Sequence, residues 1–489
     1  MRACCFDPNG FQWQGAVVNE QTSLIAEIEA YCRQAGVAES TFGRRVVNDG
    51  KFVGRLRDGK GVTTATVARV RSYLTEQNET AITEPKSVAS EPAARNKSQK
   101  SNGSGRDGER VEKKKSAFRF YDNRQKYLMF VNTCSEKWVI AERAGMELAH
   151  IHPKPPALRV FDAGMGDGTV ITGVMREMHR RFRTLPFYIV GKEISLEDVR
   201  LSLEKMSDRF YEHPATVLIV TNLYYTEAPS LTPRSMQAAA TLNWIDVPLA
   251  GDSAHEFHEQ IKDLQPTLAE SWQVKPSEKT GNPLYVRPSV MVLYREDHKF
   301  LLNSVIPRPG QGYADYDLII ASQPYRARMP IDFKIQKVIA PLSRALAPGG
   351  RLLGIHSHGR DPGLEIIRRV WPGETPFITN RHELLKGLKQ ELGKTHRDLN
   401  FNAYADKRAL FRYDMHTLPS EVGDNGAGIG TSTLLAAWNA ATYVAQIEDE
   451  RLEEVIAEQD YLDATRSVLN EYKGLWFNDE SYVVSRRRD

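Results

Sequence analysis

The middle of this 489-residue chain predicts a doubly wound α/β domain on a mostly parallel sheet, with a small all-helical unit ahead of it. Three observations predict it. Apolar runs alternate with helix-spaced stretches from Ala157 onward, a glycine-rich turn follows the first run, and a low-complexity stretch at 75–116 separates the first 75 residues from the rest. Length agrees, because a single core stops growing at roughly 250 to 300 residues.

The helical unit comes first. Ser23 to Gln34 carries Leu24, Ile28 and Tyr31 at helical spacing, residues 35–37 read as a turn, and Glu39 to Val47 reads as a second short helix. Phe52, Val53 and Leu56 follow, then a glycine break and a capped helix from Thr63 or Thr64 with Val67, Val70 and Leu74 on one face. Over residues 20–76 this order of short helices resembles the Cro and lambda-repressor class of helix-turn-helix domains. Between Ser23 and Leu74, 9 Lys+Arg stand against 5 Asp+Glu, and Arg44, Arg45, Arg55 and Arg57 are the expected phosphate contacts. A helical bundle that only dimerises or docks is the competing reading. Residues 77–116 read as a disordered basic linker, with 8 Lys+Arg against 3 Asp+Glu between Arg95 and Lys115. That charge serves either a phosphate backbone or solvation.

The α/β domain is expected over 117–425. A helix-rich lead-in, Asn123 to His150, ends at HisProLysProPro. Strands and helices then alternate: ALRVFDAG, a helix Val170 to Phe182, PFYIVGKEI, a helix Leu196 to Phe210, and ATVLIVTN. An insertion at 223–312 interrupts the rhythm with Trp244, Trp272, Tyr285, Tyr294 and a strand pair expected around 295–298. Its length and its exit on the ligand side make it the expected substrate lid. Alternation resumes with DYDLIIASQPY, a helix Ile331 to Leu346, GRLLGIHS and a helix Arg381 to Leu392. Lys407 to Tyr413 and a partner strand are expected to close the sheet, and 426–489 reads as a helical C-terminal extension.

The strongest chemical signal is the run Val160 to Thr169, VFDAGMGDGT. Glycines at 164, 166 and 168 let the main chain turn tightly and let a ligand lie against bare backbone at a helix N-terminus. Asp162 ahead of them suits a cationic ligand, where a pyrophosphate would be repelled. This loop resembles motif I of the class I S-adenosylmethionine-dependent methyltransferases. The resemblance implies that Asp162, Gly164, Gly166 and Gly168 cradle the methionine end of S-adenosylmethionine. Glu193, 31 residues beyond Asp162 at the end of the next strand, is placed to meet two ribose hydroxyls. Asn222, at the end of the third, could address the adenine edge or cap a turn. The polar lead-in Arg119 to Lys137 is expected to cover the cofactor.

Ser322-Gln323-Pro324-Tyr325 ends the fourth strand and resembles motif IV of methyltransferases acting on planar amino groups, with Gln323 in place of the usual first proline. The resemblance makes Ser322 the hydrogen-bond acceptor and Tyr325 the stacking ring, with Pro324 shaping the turn. An ordinary strand-ending turn is the alternative. His356 and His358 end the next strand, where either could act as a base or orient a substrate.

Composition narrows the rest. With 65 Lys+Arg against 62 Asp+Glu the net charge is only +3, so attraction to nucleic acid must be local. The four cysteines, Cys4, Cys5, Cys32 and Cys134, form no CxxC pair, which fits a reducing cytosol and disfavours zinc. Neither a secretion signal nor a membrane span is expected. The sequence therefore predicts a methyltransferase acting on an acceptor nitrogen, with DNA as a partner through residues 20–76 and the basic linker, no membrane partner, and a homodimer left open. Two other readings compete: a DNA-binding regulator that senses S-adenosylmethionine without catalysis, and a methyltransferase of small molecules or proteins.

Overall fold

The computed structural model describes residues 24–25, 27–33, 37–47, 49, 51–57, 66–67, 69–71, 73–74, 124–277, 283–312, 314–416, 428–456 and 460–488. The expected linker 77–116 and the helix start at Thr63 or Thr64 lie outside them. The chain divides into two units, residues 1–110 and 111–489.

In the first unit, helices Glu39–Val47 and Phe52–Arg57 and helical residues within 24–33 and 66–74 share one apolar core. Leu24, Ile28, Phe42, Phe52, Leu56 and Val70 are its buried members, and Tyr31, Phe42 and Tyr73 pack ring to ring at 5.7 to 5.9 Å. Two of the expected phosphate contacts are already paired. Arg57 bonds Glu39 and Glu29 at 2.5 Å each, and Arg55 bonds Asp49.

The second unit is built on strands β1 (Leu158–Asp162), β2 (Phe187–Lys192), β3 (Thr216–Thr221), β4 (Asn243–Leu249), β5 (Val274–Pro276), β6 (Pro283–Tyr285), β7 (Ser289–Arg295), β8 (Tyr316–Ser322), β9 (Leu346–Ser357), β10 (Leu399–Asn402), β11 (Leu410–Asp414) and β12 (Trp476–Arg486). The main sheet runs β10-β12-β9-β8-β1-β2-β3-β7-β4, with β11 also on β12, while β5 and β6 form a separate hairpin. The five central strands β3, β2, β1, β8 and β9 are all parallel. Their runs are continuously apolar because helices cover both faces. Alternate residues enter different cores: Val160, Ile189 and Leu218 one, Phe161, Val190 and Ile219 the other.

Sequence order reverses between β1 and β8, the point where open α/β sheets hold ligands outside the carboxyl ends of their strands. The glycine loop leaves β1 there, and the Ser322 turn leaves β8 beside it.

Four expectations need correction. The insertion extends the main sheet by two strands: β7 runs antiparallel to β3 and is buried along its whole length, and β4 adds a parallel edge beyond it. Residues 295–298 are the end of β7 and a single helical turn, not a strand pair. The helix expected from 196 to 210 breaks at Lys205–Met206 into Leu196–Glu204 and Ser207–Glu212. The C-terminal extension is helical only to Tyr472. Its last segment, β12, enters the sheet antiparallel to β9, with Tyr482, Val483 and Val484 fully buried. Among the described residues no helix is long and apolar enough to cross a membrane.

Candidate active site

The glycine loop lies where β1 runs into the helix Thr169–Arg181. Gly166 and Gly168 both have positive φ, +53° and +80°, a region that side chains disfavour. A Cβ on Gly168 would sit 2.8 Å from Ser202, so this glycine serves helix packing; a Cβ on Gly166 would meet the Tyr127 hydroxyl at 3.1 Å and the Gly164 carbonyl at 3.9 Å. Asp167 ties the loop down through Thr169 and Lys205 at 2.5 and 2.6 Å. Burial alone would raise its proton affinity, but those two bonds lower it.

Asp162 has only 2% of its surface exposed. One carboxylate oxygen accepts from Gly164 N at 3.1 Å, and the other is buried without a hydrogen-bond partner among the described residues. Burial pushes its pKa up to about 6. An ionisable oxygen left unpaired in such a place costs free energy unless a donor or cation reaches it.

Glu193 holds the loop from the side. It accepts from Gly166 N at 2.9 Å through one oxygen and from Ile194 N and Ser195 N at 2.8 and 2.9 Å through the other. These bonds use three of roughly four acceptor positions on a carboxylate, leaving one for a ligand hydroxyl. Burial, followed by the nearby Asp198 charge, raises its pKa.

Asn222 is not available to a base, which corrects its expected role. It is fully buried, its amide donates to Ser271 O and Arg287 O at 3.2 and 2.9 Å, and its oxygen accepts from Ser289 N at 2.8 Å. The side chain fastens the insertion to the end of β3.

The lead-in helix Arg124–Thr133 lies over the loop. Tyr127 is the hydroxyl next to Gly166, and Arg124 reaches Asp198 at 2.7 Å. Burial alone would lower the proton affinity of Lys137 on the following helix, but Glu136, 3.3 Å away, with Tyr443 and Asp167 raises it above the ordinary lysine value. The composition of this segment signalled its polarity but not which residues face the loop.

At the other side of the reversal point, the main-chain oxygen of Ser322 stands 3.9 Å from where a Cβ on Gly164 would be. Gln323 has φ +47°, and its amide bonds Ser357 at 3.1 Å and the Asp479 carboxylate at 3.3 and 3.4 Å. The Pro324 carbonyl accepts from Tyr225 at 3.0 Å. Tyr325 does not present its ring for stacking, which corrects that expectation. It is 7% exposed, and its hydroxyl is 2.8 Å from His356 Nδ1. His356 Nε2 is in turn 2.8 Å from Glu480, which His358 approaches at 3.5 Å. The structure thus joins Tyr325, His356 and His358 through a residue of β12 that sequence reasoning had placed in a helical extension. Among the described residues no group of three or more His, Cys, Asp or Glu could hold a metal.

No family model and no curated protein matches the chain. Similar solved structures include geranyl diphosphate methyltransferase in complex with GPP and sinefungin, 11% identical, covering 71% of this chain and 78% of that one with a TM-score of 0.27. The (4+2)-cyclase SpnF is 10% identical over 71% and 81%, with a TM-score of 0.30. Phosphoethanolamine N-methyltransferase 2 of Haemonchus contortus, in complex with phosphomonomethylethanolamine and S-adenosylhomocysteine, is 10% identical over 71% and 53%, with a TM-score of 0.25.

Proposed function

We propose that the second unit is an S-adenosylmethionine-dependent methyltransferase. The observation that carries this is the unpaired, buried oxygen of Asp162 beneath a glycine loop at the reversal point of a parallel sheet. A cation fits there, and S-adenosylmethionine carries two, an ammonium and a sulfonium. Gly164, where an added Cβ would come no nearer than 3.9 Å to the Ser322 carbonyl, leaves room for ligand against backbone, Glu193 keeps one acceptor position for a hydroxyl, and Tyr127 and Arg124 cover the loop. When bound, the cofactor supplies an already activated methyl group, so alignment by the chain does most of the catalytic work.

Calorimetry tests the assignment: S-adenosylmethionine should bind with micromolar affinity, and nicotinamide dinucleotides should not. Gly166→Val should abolish binding by filling the cradle and straining a positive φ. Unchanged affinity in that variant would sink the cofactor assignment. The finer reading, transfer to nitrogen on a nucleic acid delivered by the first unit, rests on the basic character of residues 20–76.

A further inference from the structure

Lys192 ends β2 and is the only charged residue of that strand. Side chains alternate along a strand, so Lys192 follows Tyr188 and Val190 onto the face whose core they enter. The opposite face belongs to the glycine loop's helix, whose Ile171 and Val174 share the other core with Val160, two residues before Asp162. The loop touches Lys192 through main chain, Met165 N donating to Lys192 O at 3.1 Å. The ammonium therefore stands at the ligand edge of the sheet, on the face away from the cofactor loop's helix. Tyr225 and the Ser322 turn meet it there. Lys192 Nζ is 5.0 Å from the Tyr225 ring centre, and the Tyr225 hydroxyl donates to Pro324 O at 3.0 Å. Burial, then the charges of Glu193 and Asp162, raise the pKa of Tyr225, so both carboxylates stand close to this hydroxyl.

Lys192 keeps 9% of its surface, and its ammonium is not one of the sealed, unpaired atoms among the described residues. Among those residues it meets no carboxylate within ion-pair distance and no hydrogen-bond acceptor. Burial lowers its proton affinity, and the Glu193 charge restores part of it. A cation drawn this far out of water without an acid partner is costly until an anion reaches it. We propose that Lys192 binds a phosphate of the methyl acceptor beside the Ser322 turn, which makes the acceptor a nucleotide unit of a nucleic acid strand. An ammonium acts on phosphate as a point charge and needs no bidentate geometry. Tyr225 sets the distance between that charge and the turn, because its ring faces the ammonium while its hydroxyl holds the Pro324 carbonyl. Lys192 binds the acceptor and takes no part in bond making.

The proposal rests on the methyltransferase reading above, and measurements on the full chain keep the two apart. Calorimetry with S-adenosylmethionine comes first: no binding overturns the cofactor assignment and this proposal with it, whereas every later failure strikes the phosphate site alone. Next, transfer from methyl-labelled S-adenosylmethionine is followed in extracts of cells lacking the protein. The labelled product should be retained on an anion-exchange resin and lose that retention only after nuclease and phosphatase together. Loss after phosphatase alone would put the phosphate on a small ester and overturn the nucleic acid acceptor; a product without phosphate, or no product, overturns the site. With the labelled nucleic acid as substrate, Lys192→Gln should raise KM at least tenfold more than it lowers kcat, and Lys192→Arg should recover most of that loss. Cofactor affinity should stay within twofold in both, with unaltered melting. A tenfold loss of cofactor affinity in Lys192→Gln would make the ammonium a counter-charge to Glu193 and overturn the proposal, as would an unchanged KM. Inorganic phosphate, at an ionic strength fixed with chloride, tests the wild type without any substitution: it should compete with the acceptor, raising KM and leaving kcat. No competition overturns the site.

Discussion

Asp162 carries the most direct single-residue consequence. Its folded-state pKa of about 6 exceeds the ordinary 3.8, so between those values the folded protein binds the extra proton and stability falls as pH rises. The cost at neutral pH is on the order of 3 kcal/mol. A bound cation offsets it by favouring the ionised form. S-Adenosylmethionine affinity should therefore rise as pH passes 6, dropping roughly fivefold from pH 6 to pH 5, with proton release on binding near pH 6. Calorimetry in two buffers of different ionisation enthalpy measures that release, and Asp162→Asn should abolish it. A pH-independent affinity in the wild type would mean that the free oxygen meets no cation.

Two elements make predictions of their own. Below β2 and β3, His213 stacks on Phe187 at 3.6 Å, its Nε2 bonds Leu185 O at 2.9 Å, and its Nδ1 faces His179 Nδ1 at 3.0 Å. The carbonyl forces a hydrogen onto Nε2, so His179 must donate to a neutral His213. Burial brings the pKa of His213 down to about 4. Unfolding then takes up a proton between about 6.5 and 4, and stability is lost as pH falls through that window. Thermal melts should show the drop, and His213→Phe should flatten it. The second element is β12. It bridges β9 on one side and β10 and β11 on the other, so deleting 476–489 should remove the near-ultraviolet dichroism of a packed core rather than trim an extension. Retention of a cooperative melt in the truncated chain would contradict the sheet order.

For the whole molecule, the two units divide the expected tasks. If the first delivers the second to DNA, the full chain should bind duplex at about 50 mM salt, lose affinity steeply by about 200 mM, and lose binding when residues 1–80 are deleted, with cofactor affinity kept. Fluorescence anisotropy reads this directly. Because Arg57 is held by Glu29 and Glu39, and Arg55 by Asp49, replacing those three acids by Gln, Gln and Asn should strengthen DNA binding by freeing both arginines. An unchanged affinity would mean those exposed ion pairs open readily, as their usual worth of about 0 to 1 kcal/mol allows.

The sequence by itself determined the parallel core and the glycine loop, because both are local: apolar runs report strands buried on two faces, and glycine permits the positive φ that the loop takes at Gly166 and Gly168. Helix Arg381–Leu392 was legible to the residue for the same reason, with Asn380 as its cap. Tertiary structure alone decided what closes the sheet and what each polar side chain faces. The TyrValVal run of β12 lies more than a hundred residues from β9, which it pairs with, and no local pattern encodes such a partner. Asn222 and Tyr325 carried the right chemistry for a ligand but found protein partners first, Ser271, Arg287 and Ser289 for one and His356 for the other. Glu480 was invisible for the converse reason: a lone carboxylate near a chain end reads as solvated surface until the fold buries it beside two histidines and an arginine.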